Sequence, residues 1–578
     1  MNYSAPFYYY IVLFSSLLGA YIINHFVWLC LQLSGNWWQR LNLALDYLWS
    51  TIVSHPLSFY WHPLPLWSAA LSFITIWLWY YYHLGSHKNY RLGMEYGSAR
   101  WGGRRDITPF INRHPDLNII LTASEKLNFA QAKKFKYQRN HNVLVIGGSG
   151  SGKTYSHLKP NLAQLHSSYV ITDPKGTILG DVGYMLNKHN YHIKVFDTVN
   201  FANSLHYNPM AYLRDEVDIF KLTNVILLNT KGEGRVGDDF WLKAEQLWLS
   251  ACIGYLYYFG NSHDRHLGSL LDLLAISGAS EQNENYQCPL DVLFTDLAKE
   301  HPDCFPVRQY QKFKLAAGAT AKSILISLSA RLAVFDLPPV RQLLSSDELA
   351  LDELGQSKQA LFVVLSDTDP TYHFLSAMLF YQAFDILTTQ ADKLPGGQLQ
   401  IPVRFLLDEF ANLGVLPHFD KTISTIRSRN ISATVIVQSL AQLQAIYGKK
   451  SEVIVDCCDS VLFLGGKSVK TTRDLAQMIG RTTVTHQSIS HNSGTASNYS
   501  CSEQIISRQL LDQSEIAALP RDECLLLISG LPPFRSKKYS PCRHPRYTDL
   551  ADSGQVPKYI YQPRANSHNQ LDKKVIIS

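Results

Sequence analysis

The chain has 578 residues, 46% of them hydrophobic, and a formal net charge of +6. This length can bury a large core spread over two or three folded units, which excludes a small binding module. So modest a positive charge permits a polyanionic partner but falls short of a dedicated DNA-coating protein. The nine cysteines include no CxxC pair. The adjacent Cys457 and Cys458 lie in an apolar stretch with strand character, read as reduced thiols, with a vicinal redox pair as the sharper alternative.

In chain order the first element is an apolar run. From Phe7 to Leu33 there is no Asp, Glu, Lys or Arg, and the one titratable ring is His25. At 1.5 Å per residue a helix over this run exceeds the ~30 Å hydrocarbon core of a bilayer. A second apolar run, Leu64–Leu84, includes Trp67, Trp77 and Trp79 and ends in Tyr80, Tyr81 and Tyr82, rings suited to a headgroup interface. Two transmembrane helices, about 7–33 and 64–84, are therefore expected within an anchor over 1–87. The stretch Ser34–Pro63 between them, with Arg40 and Asp46 as its formal charges, reads as a loop. Lys88, Arg91, Arg100, Arg104 and Arg105 follow the second run, so the positive-inside rule places the large carboxy-terminal part, and with it the amino terminus, in the cytoplasm. The first run has no basic n-region and no small-residue cleavage site, which argues against a cleaved signal peptide.

The next informative segment is Asn142–Ile146, a short apolar strand leading into Gly147-Gly148-Ser149-Gly150-Ser151-Gly152-Lys153-Thr154. This is the GxxxxGK[ST] pattern in its proper setting. The glycines let the backbone curl so that successive N–H groups point at phosphates, Lys153 reaches the β- and γ-phosphates, and the Thr154 hydroxyl serves Mg²⁺. A helix is expected over Tyr155–Gln164, with Pro160 as its weak point.

A second strand, Val403–Leu407, ends in Asp408-Glu409. Parallel strands present carboxylates at their carboxy ends beside a phosphate loop, so Asp408 is assigned to Mg²⁺ and Glu409 to polarising the attacking water. Thr425-Ile426-Arg427-Ser428-Arg429 offers two arginines able to neutralise transition-state charge, on a neighbouring subunit's nucleotide. Ala433–Val437 reads as a further strand ending in Gln438-Ser439, where a polar tip can sense a γ-phosphate. ATP and Mg²⁺ are the cofactors these residues imply.

The chain resembles one family, the type IV coupling proteins of the TraG/TraD type, among them the conjugative ATPase TrwB. Besides the nucleotide motifs, the likeness rests on Glu95-Tyr96-Gly97-Ser98-Ala99-Arg100-Trp101-Gly102 and Thr172-Asp173-Pro174-Lys175-Gly176. It extends to Phe240-Trp241 with Lys243-Ala244-Glu245, and to Arg404 through Gly414 around the two acids. One departure is Thr177, where the family usually carries Glu. By position Arg427 resembles the family's trans-acting arginine and Gln438 its sensor glutamine, with Arg429 as second candidate.

The resemblance implies an α/β fold: a RecA-like P-loop motor domain with an inserted all-α domain behind two amino-terminal transmembrane helices. The corresponding boundaries are 88–235 and 356–545 for the motor, 236–355 for the all-α domain and 546–578 for a polar tail. The helical spacing of Phe240–Phe259 and of Ala316–Leu332 agrees with the insertion, and Leu361–Leu365 resumes strand character. Gln487–Ser502, rich in Ser, Asn and Thr, reads as an exposed loop, and weak order is expected after Pro545.

The function so implied is a homo-hexameric, inner-membrane, multi-pass ATPase driving single-stranded DNA with its bound relaxase into a type IV secretion channel. The alternative is a coupling ATPase or docking receptor for protein effectors only. A chromosome-segregation translocase of the FtsK type is a fallback, though no winged helix is recognisable at the carboxy terminus.

Overall fold

The computed structural model describes residues 5–85, 94–130, 134–230, 239–280, 286–316, 318–492 and 498–563, and divides the chain into two compact units, Met1–Glu95 and Tyr96–Ser578.

The first unit is helical: α1 (Ala5–Gln32), α2 (Trp37–Ser54) and α3 (Pro63–Gly85). The residues read as a loop between the two apolar runs thus include a helix of 18 residues. Its signal lies in Leu41, Ala44, Leu45, Leu48 and Ile52, which recur at helical spacing, and in Gln39, whose side chain accepts from the Asn36 N–H at 3.2 Å. Helices α1 and α3 approach closely at Gly19, where a Cβ would meet Ile76 Cδ1 at 3.1 Å. The polar residues of α1 face the turn before α3. Asn24 exchanges two hydrogen bonds with the Tyr60 backbone (2.9 and 3.1 Å), and Trp28 stacks on the Tyr60 ring at 4.7 Å.

Among the described residues two helices are long and apolar enough to cross a membrane, Tyr9–Gln32 and Gly318–Asp336. The second buries Ala321, Ile324, Leu328 and Leu332 in the protein core, as a soluble helix does. Helix α3, expected as a span, is not one of these two.

The second unit is organised by a nine-stranded sheet. A small antiparallel pair, β1 (Asn118–Ile120) and β2 (Lys126–Asn128), precedes it. The strands then run β3 (Val143–Ile146), β4 (Ser168–Asp173), β5 (His192–Asp197), β6 (Gln359–Val364), β7 (Val403–Leu407), β8 (Ile431–Val437) and β9 (Ser460–Phe463). After the hairpin β10 (Arg481–Asn492) and β11 (Asn498–Gln509) come β12 (Glu523–Ile528) and β13 (Phe534–Lys537). The sheet order is β13-β12-β9-β3-β8-β7-β4-β6-β5, with β9 through β5 mutually parallel and β12 and β13 antiparallel at one edge.

The central strands are buried on both faces, which is why they read as continuous apolar runs rather than alternating ones. Leu144 and Ile146 of β3 join one hydrophobic core while Val143 and Val145 join the other. Between β5 and β6 the described regular elements are helices, among them Asp239–Phe259, Leu267–Ala275, Pro289–Glu300, Phe305–Lys314 and Gly318–Leu332. Trp248, Leu249 and Cys252 of this region share a continuous core with Leu144 and Phe405 of the sheet.

Three further expectations are corrected by the structure. Gln487–Ser502 falls within β10 and β11, which pair in antiparallel register from Arg481↔Gln509 to Asn492↔Asn498, while 493–497 lie outside the described residues. Thr482, Thr483, Val484, Thr485, Ile505 and Ile506 carry the β propensity that the polar tip obscured. The chain after Pro545 is anchored as far as it is described: Leu550 is fully buried, Arg546 pairs with Asp116 at 2.7 Å, and Tyr559 packs over Gly183. Residues 564–578, including Lys573 and Lys574, lie outside the described residues. Cys457 and Cys458 close the helix Lys450–Asp456 instead of lying in a strand, and burial pushes the Cys458 thiol well up, as suits an inert core sulfur.

Candidate functional site: a phosphate loop facing two acids

The parallel register brings the carboxy ends of β3, β8, β7 and β4 to one edge of the sheet: Ile146 lies beside Val437, Leu407 beside Val435 and Ile171 beside Leu406. Every predicted catalytic residue except Arg427 projects from this edge. Gly147 continues β3 and is tied to β8 by Gly147 N–H donating to Val437 O at 3.0 Å. Gly150 and Gly152 take φ of +71° and +89°, the left-handed conformation that wraps the loop and that side chains disfavour. Among the described residues nothing in the chain accepts from the N–H groups of Gly150, Gly152 and Lys153. The loop is thus a set of free donors at the start of a helix.

That helix opens as a π turn, Thr154–Leu158, and continues as one α turn, Lys159–Leu162. Pro160 lacks the N–H that would regularise the ladder, so the expected helix is present but irregular and short.

Lys153 is 7% exposed and its ammonium donates to Gly147 O at 2.9 Å while lying 3.3 Å from Glu409 Oε1. Thr154 Oγ1 donates to Asp408 Oδ2 at 2.8 Å. Asp408 is buried, and desolvation raises its carboxyl above the usual range against the opposing Thr154 hydrogen bond. Its main chain is held by Thr172 Oγ1, which donates to Asp408 O at 2.6 Å. Glu409 sits at φ +48°, a strained conformation for a residue with a side chain, and Gln438 Nε2 donates to its Oε2 at 3.2 Å. Lys153, Thr154, Asp408, Glu409 and Gln438 line one cavity of about 480 Å³ together with Ser149–Gly152.

Sequence reasoning missed part of the wall. Asp173, Lys175, Asp367 and Asn412 also line the cavity, and Lys175 Nζ lies 3.6 Å from Asp367 Oδ2. The Asp-Pro-Lys-Gly segment enters the sequence reading only as a family likeness; its physical signal, an acid at the carboxy end of a parallel strand, is the same as for Asp408. Asp173 Oδ2 accepts from Leu179 N–H at 2.9 Å and so shapes the turn into the helix Thr177–Lys188, where Thr177 is the first residue and also lines the cavity.

Arg427 is elsewhere. It lies on the turn Ile426–Arg429 and lines a separate cavity of about 110 Å³ with Arg139, His141 and Ser432 at the opposite ends of β3 and β8. It is exposed and makes no hydrogen bond or ion pair among the described residues. Arg429 is engaged with Asp392 at 2.8 Å.

The model for type IV secretory system conjugative DNA transfer proteins matches residues 103–558. The chain belongs to this family. Its curated relatives include the conjugal transfer protein TraG of Rhizobium radiobacter, 23% identical over 68% of this chain and 60% of that protein, and the protein VirD4 of the same organism, 24% identical over 68% and 56%. The chain thus spans about 60% of the length of such relatives. Among solved structures, the plasmid coupling protein TrwB in complex with a non-hydrolysable GTP analogue superposes with a TM-score of 0.56 at 15% identity, over 82% of this chain and 98% of that one. A TrwB structure with ADP and Mg²⁺ gives 0.55 at 16% identity, over 78% and 94%. At this identity the likeness shows the family member's fold: a coupling-protein sheet with its helices.

Proposed function

We propose that this chain is a membrane-anchored P-loop ATPase that couples hydrolysis to feeding substrates, DNA with its relaxase, into a type IV secretion channel. The observation that carries the proposal is the convergence of Lys153, Thr154, Asp408, Glu409 and Gln438 on one cavity beside a loop of unpartnered N–H groups. A docking scaffold needs no water-activating acid.

In this reading Ser149, Gly150, Ser151 and Gly152 cradle the phosphates of ATP and Lys153 neutralises them, while Gly147 and Gly148, whose N–H groups donate to Val437 O and Gly465 O, fix the start of the loop. Thr154 Oγ1 and Asp408 Oδ2, hard oxygens 2.8 Å apart, suit Mg²⁺, which supplies charge neutralisation at the transferring phosphoryl group. Glu409 accepts the proton of the attacking water, and Gln438 orients the Glu409 carboxylate toward it. Arg427, exposed and away from its own cavity, serves the nucleotide of the next subunit in a homo-hexamer.

The reading of 1–87 as an anchor, with α1 and α3 as the spans in a bacterial inner membrane, 236–355 as an all-α domain and the large part in the cytoplasm rests on apolar length, aromatic flanks and the basic residues that follow.

ATP hydrolysis by the full chain, measured with and without single-stranded DNA and with Lys153→Ala as blank, tests the proposal. Stimulation by DNA that vanishes in the variant supports it. Hydrolysis indifferent to DNA supports the protein-effector alternative, and no hydrolysis refutes the ATPase.

A further inference from the structure

The carboxy-terminal segment after β13 runs alongside the phosphate loop and its helix. Lys538 Nζ donates to Ser151 O at 2.9 Å, the Tyr155 hydroxyl lies 3.6 Å from Cys542 Sγ, and Lys159 Nζ pairs with Asp552 at 2.6 Å. Further along, His544 Nε2 lies 3.1 Å from Gln164 Oε1, and Arg546 donates to Ala163 O at 2.9 Å. A segment nearly four hundred residues away in sequence thus follows residues 151–164 in space, where the helix is irregular and cannot hold the loop by its own ladder.

Lys538 is the contact nearest the phosphates. In a trans peptide unit the C=O and the following N–H point in opposite directions. Holding the Ser151 carbonyl outward therefore turns the Gly152 N–H inward. Gly152 sits at φ +89° and has little intrinsic preference to resist rotation, so an outside restraint matters here. Lys538 is itself held in place. Its own N–H donates to Asp522 O at 2.8 Å, and its stem is partly buried, which holds the ammonium below its usual range. The neighbouring Lys537 points to the surface, where it pairs with Asp522 at 2.9 Å.

We infer that Lys538 is a positioning residue for the phosphate loop, fixing the Ser151–Gly152 peptide so that the Gly152 N–H faces the phosphates of the bound nucleotide. The inference rests on the nucleotide reading above.

The test is ADP and ATP affinity of the full chain, with a fluorescent adenine nucleotide as probe. Lys538→Met keeps the length of the stem and removes the donor; its dissociation constant for ADP rises by about tenfold. Lys538→Arg, which keeps a donor, returns to within about threefold of the parent, and Lys537→Met stays at the parent value. A merely structural strap would instead lower the melting temperature and leave affinity alone, and that result overturns the inference. If Lys538→Met does not fold, Lys538→Leu, which also lacks a donor, is read by the same criteria. A parent chain that binds no adenine nucleotide overturns the nucleotide reading itself, whereas a parent that binds and a Lys538→Met variant that binds equally well overturns only the role of Lys538.

Discussion

Glu409→Gln isolates the electrostatics of the site. In this structure the Lys153 ammonium is shared between Gly147 O and the Glu409 carboxylate 3.3 Å away, with the two side chains 7% and 19% exposed. An incoming phosphate must take Lys153 from that carboxylate and then sit beside it. At an effective dielectric of about 20 the bare attraction at this separation is about 5 kcal/mol, most of it offset by the solvation each charge gives up. A net gain of about 1.5 kcal/mol for nucleotide binding remains when Glu409 loses its charge, or about tenfold tighter binding. Gln is isosteric and keeps the contact to Gln438, so the loop geometry is unchanged. The same variant cannot accept a proton from water, and turnover falls by about 10²–10⁴. Fluorescent-nucleotide titration and phosphate release on the same preparation measure both. Unchanged or weaker binding refutes the Lys153–Glu409 argument, and turnover within a few-fold of the parent removes Glu409 from the chemistry.

Arg404→Met is expected to stabilise the fold. The guanidinium is fully buried without a carboxylate partner among the described residues, its Nε is unsatisfied, and burial pushes it down from 12.5 to about 10, a cost of about 3 kcal/mol; losing the contacts to Asn161 and Thr434 at 3.4 and 3.1 Å returns about 2 kcal/mol. A net rise of about 1 kcal/mol in denaturant-monitored stability is the outcome, and a loss of that size contradicts it. Arg427→Ala is expected to lower hydrolysis by about 10³ while leaving nucleotide affinity intact, whereas Arg429→Ala, which frees Asp392, stays within about twofold; equal effects would reverse the assignment. Stability falls in mild acid. His141 and His544 are pushed down to about 4 and His157 to about 3, by burial first, so the unfolded chain binds more protons as pH drops below 6.5. The loss begins there, reaches about 1.4 kcal/mol per ring at pH 5.5 and levels off below the folded values. Unfolding midpoints at pH 7.5 and 5.5 measure it; burial also holds His166 well below its usual range, and His544→Gln removes its own share of about 1.4 kcal/mol.

The candidate site is legible in the sequence because its parts are local patterns: a strand, a glycine loop and Lys-Thr in one place, a strand and two acids in another. Burial on both faces made β3, β7 and β8 readable as apolar runs, and their parallel pairing then fixed where Asp408 and Gln438 had to lie. What escaped was non-local or masked by composition. Helix α2 was hidden by the scarcity of charges, which removed the polar face that usually marks an amphipathic helix. The hairpin β10–β11 was hidden by Ser and Asn at its tip, where the ladder rather than side-chain preference specifies the strand. Lys538 carries no sequence signal, since its partner is a carbonyl in a loop nearly four hundred residues earlier in the chain.

Both lysines of the candidate site already have a carboxylate, Lys153 with Glu409 and Lys175 with Asp367, and the Asp408 carboxylate accepts from the Thr154 hydroxyl, whereas one oxygen of Asp173 has no partner. The groups left without partners among the described residues are the backbone N–H donors of Gly150, Gly152 and Lys153, the buried Ser151 hydroxyl and one oxygen of Asp173. Binding energy is therefore available first from the backbone, while each side-chain contact to phosphate is an exchange in which one internal partner is released. The carboxylates that Lys153 and Lys175 would release to a phosphate are Glu409 and Asp367, on the loops after β7 and β6. The β6 loop leads into the buried helix His373–Lys393, and the β7 loop into the turn that carries Phe410 and Asn412. Under the proposed reading, nucleotide binding is coupled to the main chain after β6 and after β7 through ion pairs that cannot all be kept at once.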